Sequence, residues 1–267
     1  MTETTHSKQL VTVGVPIYTT NLRPAEVAAL QHTRQVLAGR DIAIVAPTDL
    51  DLSPLTFLQG IRVERFEPSF FAGREGYNRL MMSAELYERF IDSEFVLICQ
   101  SDVWIFSDDL DRWCTAGYDY VGAPWLPDRR EVSGFWPVHR LLWQMRKLRG
   151  THGAGLKYKV GNGGLSLRRT APFAQVAKQW ADEIEQLSAP ERGPKGFEDV
   201  LWSVTLPELH PGTIKVAPWR EALEFSVEGH PDYALQLLQG KLPMGAHAYG
   251  RKRNRRHWQG IIPAEAF

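Results

Sequence analysis

The apolar positions in the first part of the chain follow two alternating patterns. Short runs rich in β-branched residues at positions 10–15, 42–45 and 61–66 predict strands. Between the first two, a pattern with helical spacing opens at Pro24 and continues to about Leu37. Strands that alternate with helices in this way predict an α/β fold with a largely parallel sheet.

The second predicted helix and the strand that follows it give the clearest signal. A helix is predicted to begin at Asn78, a good N-cap residue, and to continue to Ile91 with one apolar face. Residues 94–99 follow as a run that is apolar after its first residue, which is typical of a central parallel strand buried on both faces. Ligands bind beyond the carboxyl ends of such strands, so the site is expected just after Cys99.

A carboxylate, Asp102, stands at that position. Held rigidly at the end of a buried strand, it can meet a divalent cation and a diphosphate. The alternative is that Asp102 only caps a turn before a strand at residues 104–106. Polar groups at the ends of later apolar strands favour the functional interpretation.

Three later segments contribute those polar groups. Residues 161–164 read Gly-Asn-Gly-Gly, which indicates positive φ or close approach by another group such as a sugar ring, with a plain hairpin turn as the alternative. Glu198 and Asp199 stand at a predicted helix start. The helix dipole could explain one acid there, whereas two adjacent acids favour a general base. His247, between small residues, is either a ligand or a structural histidine.

Taken in order, these segments resemble the GT-A glycosyltransferases, in particular a group of bacterial and fungal domains similar to them. The resemblance extends over most of the chain, at residues 13–18, 77–80, 100–102, 122–125, 161–164, 198–200 and 246–247. It implies one catalytic domain over residues 1–267, with an open, Rossmann-like, mostly parallel sheet flanked by helices and a smaller mixed C-terminal part. Residues 1–106 would form a nucleotide-binding half, and residues 107–267 an acceptor-side half with a basic insertion at 126–160 and a basic tail at 250–258.

The resemblance also assigns roles at the donor site. In GT-A enzymes an Asp-x-Asp pair after a central strand contacts the donor ribose and binds the metal that bridges the diphosphate. Here Gln100 replaces the first acid, and Asp102 and His247 are the implied ligands of Mn²⁺ or Mg²⁺, the imidazole favouring Mn²⁺. The implied donor contacts are Pro16, Ile17, Tyr18, Asn78, Arg79, Gln100, Asp102, Gly163 and Gly164.

The implied reaction moves a sugar from a nucleotide-sugar donor to an acceptor hydroxyl of a surface glycan, lipid-linked saccharide or other glycoconjugate. Glu198 and Asp199 match the paired acids of inverting enzymes, with Asp199 as the base and Glu198 orienting the acceptor or the loop. The alternative is a protein that binds sugars or nucleotides on this fold with weak or no catalysis, because one acid of the metal pair is missing.

Charge is distributed unevenly along a chain whose formal net charge is zero. Residues 126–160 hold eight Lys or Arg and two acids, and residues 241–267 hold six and one. Such basic surfaces suit a polyanionic partner: a diphosphate, an anionic membrane surface or nucleic acid. Nucleic acid is not expected, because no recognised nucleic-acid-binding motif is present.

The remaining composition bears on location and cofactors. Residues 135–145 have the spacing of an amphipathic helix, which would pack on the protein or lie at a membrane interface. No apolar run approaches the roughly 20 residues that cross a bilayer, and no signal peptide is recognisable. A cytoplasmic protein is therefore expected, either free or peripheral at the inner face of the membrane. Cys99 and Cys114 are expected to pack as small hydrophobes, and neither a zinc pattern nor a Walker-type phosphate loop occurs.

Overall fold

A computed structural model describes residues 9–129 and 155–267, which form two sheets. The main sheet has the order β3-β2-β1-β4-β7-β6, and the smaller one the order β5-β9-β8. In chain order the strands are β1 (Gln9–Pro16), β2 (Asp41–Pro47), β3 (Arg62–Phe66), β4 (Ser93–Cys99), β5 (Val103–Ile105), β6 (Tyr120–Gly122), β7 (Leu165–Arg169), β8 (Ser226–Val227) and β9 (Gly245–His247). Strands β1 to β4 are parallel, whereas β7 runs antiparallel to β4 and β6. The predicted open, mostly parallel sheet with a smaller mixed C-terminal part is confirmed.

Helices connect the strands and flank the main sheet. They are α1 (Pro24–Val36), α2 (Gly73–Met82), α3 (Ala84–Arg89), α4 (Leu110–Thr115), α5 (Thr170–Gln179), α6 (Ala181–Ser188), α7 (Glu198–Val200), α8 (Leu206–Leu209), α9 (Trp219–Phe225), α10 (Pro231–Leu237) and α11 (Lys252–Trp258). A π-helical turn, Leu201–Thr205, joins α7 to α8. Short 3₁₀ turns occur at Thr56–Leu58, Pro68–Phe71, Pro190–Gly196 and Ala264–Ala266.

Strand β4 is the buried centre of the main sheet. From Phe95 to Cys99 no residue is more than 2% exposed, because β1 and β7 flank the strand and helices cover it. The apolar run therefore has the double-sided burial that the sequence predicts. Its carboxyl end opens towards the small sheet, where Asp102 precedes β5.

The prediction of one helix from Asn78 to Ile91 is wrong both in where the helix begins and in its being continuous. Helix α2 begins at Gly73, so Asn78 lies inside it, and the Asn78 side-chain oxygen accepts a hydrogen bond from the Glu198 N–H at 3.5 Å. Ser83 has extended backbone and ends α2, and its hydroxyl accepts the Leu86 N–H at 3.2 Å to cap α3. Ser83 is thus the N-cap of α3, and it divides a single periodic pattern into two helices.

Aromatic packing joins the two halves of the chain. Tyr87 of α3 lies 5.0 Å from Phe173 of α5 between ring centroids, and Phe173 lies 4.5 Å from Trp202 of the π-helical turn. All three side chains are buried. Strands β6 and β7, from the second half, also extend the sheet built by the first half. The division at residue 106 stays a prediction about function.

Several other predictions concern the periphery. The predicted amphipathic helix at residues 135–145 lies outside the described residues, whereas much of the basic tail forms α11. Within residues 9–129 and 155–267, no helix is long and apolar enough to cross a membrane. Cys99 and Cys114 are buried and unpaired with each other, as expected, and burial raises the pKa of both thiols to about 12.

Candidate functional site

Asp102 and His247 are brought together by the register of the small sheet. Val103 pairs with His247 across the antiparallel strands β5 and β9, so the residue before β5 lies beside the last residue of β9. The Ala248 N–H also donates to the Asp102 carbonyl at 3.0 Å. As a result, two residues separated by almost 150 positions point at the same space.

The side chains of Asp102 and His247 are in direct contact. His247 Nε2 lies 3.1 Å from Asp102 Oδ1, with the His247 side chain 8% exposed and the Asp102 side chain 30% exposed. Burial alone would raise the pKa of Asp102, but the hydrogen bond to His247, together with the charges of His247 and Arg251, lowers it. Burial likewise opposes protonation of His247, but the hydrogen bond and charge of Asp102 raise the pKa of the imidazole overall.

This pair fits a divalent cation as a partial ligand set. Bonds of about 2.1 Å in octahedral coordination place neighbouring ligand atoms about 3 Å apart, which is close to the observed spacing. Within the described residues, however, no group of three or more His, Cys, Asp or Glu side chains is arranged to hold a metal. Asp102 and His247 would therefore hold an ion only with oxygen ligands from elsewhere, such as phosphates and water.

Glu228 is a neighbour of this pair that the sequence analysis missed. Its Oε1 lies 3.7 Å from His247 Nδ1, a buried nitrogen with no hydrogen-bond partner, and 3.1 Å from Arg251 Nη1. A carboxylate on the far nitrogen is the usual way in which proteins orient a metal-binding histidine. Glu228 directly follows strand β8, but this strand has only two residues, Ser226–Val227, and is too short to give the apolar pattern that selected Asp102.

A cleft of about 510 Å³ opens beside Asp102 at the carboxyl ends of β1 and β4. Pro16, Tyr18, Gln100 and Asp102 line it, as the sequence predicts for donor contacts. Tyr18 is 59% exposed, so its ring is free to stack on a planar group. Ile17 is only 1% exposed and packs in the core instead, because successive side chains of an extended chain point in opposite directions.

Helix α2 contributes other residues to the cleft than those predicted. Arg74 and Tyr77 line it, and the Tyr77 hydroxyl accepts a hydrogen bond from Gln100 Nε2 at 3.1 Å. Asn78 and Arg79 do not line it; Arg79 instead donates to the Ser69 carbonyl at 3.0 Å. The early start of α2 places the turn at residues 73–77, and not the one at 78–79, beside the donor cleft.

The glycine-rich segment makes room for protein side chains. A Cβ on Gly163 would overlap the Glu198 carboxylate, and one on Gly164 would overlap the His247 imidazole. Positive φ occurs at Asn162 and not at the glycines around it. The predicted close approach is therefore found, but at both positions the approaching group belongs to the protein.

Glu198 forms a sealed ion pair with Arg168. Arg168 Nη2 donates to Glu198 Oε2 at 2.9 Å, and the two side chains are 0% and 6% exposed. Burial raises the pKa of Glu198 while the Arg168 charge opposes that rise. Because the Arg168 guanidinium also contacts Tyr87 and Ser166, the pair belongs to a closed hydrogen-bonded network.

Asp199 follows Glu198 in the chain and is half-buried. Its Oδ1 accepts the Val200 N–H at 2.8 Å, at the start of α7 as the sequence predicts. Burial and the charge of Glu228 raise the pKa of Asp199, against hydrogen bonds from the backbone of Val200 and Asn162. The charge of Glu228 thus acts on both His247 and Asp199.

Comparison with protein families now places the chain. Residues 60–247 match the model of a family described as "Protein of unknown function (DUF5672)". The chain belongs to this family. The match extends from before β3 to the last residue of β9 and so includes Asp102, Glu198, Asp199 and His247. A search of curated proteins found no match.

Solved structures of glycosyltransferases share the fold. The galactosyltransferase LgtC, solved with donor and acceptor sugar analogues, superposes with a TM-score of 0.54 at 15% identity, over 95% of this chain and 98% of its own. Mouse xyloside xylosyltransferase 1 superposes with a TM-score of 0.50 at 9% identity, over 90% of this chain and 97% of its own. Core-mannan synthase A from Aspergillus fumigatus, solved with Mn and GDP, superposes with a TM-score of 0.50 at 10% identity, over 80% of this chain and 74% of its own. The family's fold is thus of the GT-A type, as the resemblance implies.

Proposed function

We propose that this DUF5672 protein is a glycosyltransferase that moves a sugar from a nucleotide-sugar donor to an acceptor hydroxyl. The observation that carries the proposal is the Asp102–His247 pair, with 3.1 Å between Nε2 and Oδ1, on the wall of a cleft at the carboxyl end of β4. The GT-A fold, which the chain shares with a galactosyltransferase solved with donor and acceptor sugar analogues and with a xylosyltransferase, supports the same reaction class.

The donor would occupy the cleft of about 510 Å³ beside Asp102. Pro16 and Tyr18 offer an apolar surface and a ring for the nucleotide base, and Gln100, held by Tyr77, would bond the ribose without adding charge. Arg74, which lines the same cleft, would face the diphosphate. A flat ring and a few polar groups in a cleft of this size are typical of small-molecule sites.

A divalent cation would be held by Asp102 and His247, with Glu228 orienting the imidazole. The Mn and GDP bound to core-mannan synthase A support Mn²⁺, and oxygen-rich coordination also suits Mg²⁺. Such an ion, when bound, offsets negative charge on a departing diphosphate. For Nε2 to serve as a ligand, the imidazole proton must lie on Nδ1, which faces Glu228.

The reaction would be a displacement at the anomeric carbon with inversion. The acceptor oxygen forms a bond to that carbon as the bond to the nucleoside diphosphate breaks, and Asp199 takes the acceptor proton. Glu198 would then hold the loop that carries Asp199, because its carboxylate is already engaged by Arg168. The raised pKa of Asp199 suits a base that works near neutral pH.

Thermal shift with a panel of nucleotide sugars tests donor binding directly. A ligand that binds only the folded state raises the melting temperature, so one class of donor should stabilise the protein with Mn²⁺ and much less with EDTA. The same donors should be hydrolysed slowly without acceptor. Stabilisation without any hydrolysis or transfer would favour the alternative of a binding protein, and no stabilisation by any donor would refute both.

The role of Asp199 is tested by the isosteric variant Asp199→Asn. Donor affinity should stay within a few-fold, whereas turnover should fall by about 10²–10⁴, the usual contribution of general base catalysis. In the wild type, turnover should also fall as the pH drops through the raised pKa of Asp199, since only the deprotonated carboxylate accepts a proton. Near-normal turnover of the variant, or retention in the NMR spectrum of the product, would remove Asp199 as the base.

A further inference from the structure

Three cavities lie end to end around Asp102. The donor cleft of about 510 Å³ shares Arg23, Glu26 and Asp102 with a second cavity of about 550 Å³. The second shares Arg255, Ala264 and Phe267 with a third of about 550 Å³. A continuous path therefore leads from the donor cleft, past Asp102, to Arg255 and beyond.

Several charged side chains line the second cavity, and most of these charges are already paired. The pairs are Arg23 with Glu26, Asp102 with His247, and Arg251 with Glu228. Arg255 differs, because no acidic side chain of residues 9–129 or 155–267 lies within ion-pair distance of it. Its guanidinium carbon instead lies 5.0 Å from the centroid of the Phe267 ring. Arg255 is thus the cation of this cavity with hydrogen-bonding capacity left for a ligand.

The third cavity is mostly apolar. Its lining includes Ile261, Ile262, Pro263 and the edge of Phe267. Ile261 is 42% exposed, which makes it one of the few large exposed aliphatic side chains in the described residues. Arg255 thus lies between a cavity lined by several charged side chains, on the Asp102 side, and a mostly apolar cavity on the far side.

We propose that the acceptor is an anionic amphiphile, a saccharide attached to a hydrocarbon chain through a phosphate group, a proposal that rests on the glycosyltransferase function above. The sugar lies beside Asp102, where the second cavity meets the donor cleft, with the phosphate at Arg255 and the first part of the hydrocarbon on Ile261 and its neighbours. The order of chemistries along the path matches the order of groups in such a molecule.

Each contact has a physical reason. A guanidinium donates two parallel hydrogen bonds to a phosphate and is weakly hydrated, so Arg255 can bind the anion while keeping its contact with Phe267. Covering the exposed Ile261 with hydrocarbon removes apolar surface from water. Glu265 also lines the second cavity, and its carboxylate opposes the anion, so Glu265→Gln should strengthen phosphate binding.

The test measures binding by calorimetry on the full chain in EDTA, with geranyl diphosphate, inorganic diphosphate and geraniol as probes. Geranyl diphosphate should bind most tightly to the wild type. Arg255→Gln should weaken its binding about tenfold, as expected for loss of a charge-assisted hydrogen bond. Ile261→Gln should weaken the binding of geranyl diphosphate and of geraniol while leaving the binding of inorganic diphosphate unchanged.

Two arginines serve as matched controls. Arg256→Gln changes the next residue of α11, which lines a different cavity, and should bind the probes like the wild type. Arg74→Gln tests the donor cleft, where a diphosphate could also bind, and should weaken geranyl diphosphate binding less than Arg255→Gln does. Should Arg74→Gln weaken that probe while Arg255→Gln does not, the anion binds in the donor cleft and the proposal is overturned.

Other results would also overturn it: equal affinity of the wild type for geranyl diphosphate and inorganic diphosphate, unchanged binding by Arg255→Gln, or no binding at all. Nucleotide-sugar stabilisation of the same samples separates this failure from that of the proposed function. If a nucleotide sugar stabilises the wild type while geranyl diphosphate does not bind, only the acceptor class is wrong. If no nucleotide sugar stabilises it, the glycosyltransferase assignment is wrong.

Discussion

Two oppositely charged pairs contact adjacent glycines but differ in their exposure to solvent. Arg168–Glu198 borders Gly163 and is sealed in the core, with side chains 0% and 6% exposed. His247–Asp102 borders Gly164, and its aspartate side chain is 30% exposed on the cleft wall. One backbone step therefore separates a structural ion pair from the candidate chemical site.

The difference between the pairs lies in their unused hydrogen-bonding capacity. In the sealed pair, Arg168 donates to Glu198, Tyr87 and Ser166, and neither Arg168 nor Glu198 lines the donor cleft. In the open pair, the Asp102 carboxylate faces the cleft. A ligand can use charge only where the protein has left lone pairs accessible, so removing a charge should affect stability at the first pair and activity at the second.

The largest effect is expected at Asp102. Asp102→Asn removes the charge that would face a cation, so turnover should fall by about 10³ or more and Mn²⁺ should no longer enhance donor binding. The melting temperature without ligand should change little. Steady-state kinetics and thermal shift with and without Mn²⁺ measure both.

A matched control is Asp92→Asn, at the opposite, amino end of β4, where the side chain is exposed. It should behave like the wild type in both assays. If Asp102→Asn kept its Mn²⁺ response, the proposed metal role of Asp102 would be excluded.

The next effect in size is expected at the sealed pair. Glu198→Gln leaves the Arg168 charge buried without its counter-charge, which should lower the free energy of unfolding by about 3–5 kcal/mol. The exposed pair Arg169–Glu94, at 2.8 Å, provides the comparison, and Glu94→Gln should cost less than about 1 kcal/mol. Urea denaturation measures both, and equal losses would contradict the distinction between sealed and exposed pairs.

Alanine substitutions at the two adjacent glycines should distinguish the two pairs. Gly163→Ala pushes on Glu198 and should destabilise the fold by about 1–3 kcal/mol, as overpacking does. Gly164→Ala pushes on His247 and should additionally weaken Mn²⁺ binding, measured by electron paramagnetic resonance. Loss of Mn²⁺ binding in both variants would show that the two sites are not independent, and loss in neither would contradict the metal role of His247.

The smallest effect is expected at Glu228. Glu228→Ala removes the carboxylate facing His247 Nδ1 and should weaken Mn²⁺ binding about 10-fold, the low end for residues that orient a metal ligand. Glu228→Gln retains an oxygen that accepts the Nδ1 proton and should recover most of that affinity. Equal weakening in both variants would point to the charge of Glu228, and no weakening in either would remove its orienting role.

Local pattern predicted much of the fold. The apolar runs of β1, β2, β3 and β4 and the spacing of α1 are visible in the sequence, because strand and helix periods are properties of neighbouring residues. The location of Asp102 at the end of β4 follows from the same pattern, because the end of a buried strand is where a sheet meets ligand. The start of α2 was missed, since the polar residues 73–77 carry no apolar period.

What only the tertiary structure decided is which polar groups meet. The sequence by itself determined the α/β class, the buried central strand and the candidate residues Asp102, Asp199 and His247. It could not show that Glu198 meets Arg168, or that Glu228 joins His247, because those contacts depend on how β7, β8 and β9 register against β4 and β5. Such register is set by packing between residues far apart in the chain, and that packing also determines which charged groups remain accessible to a ligand.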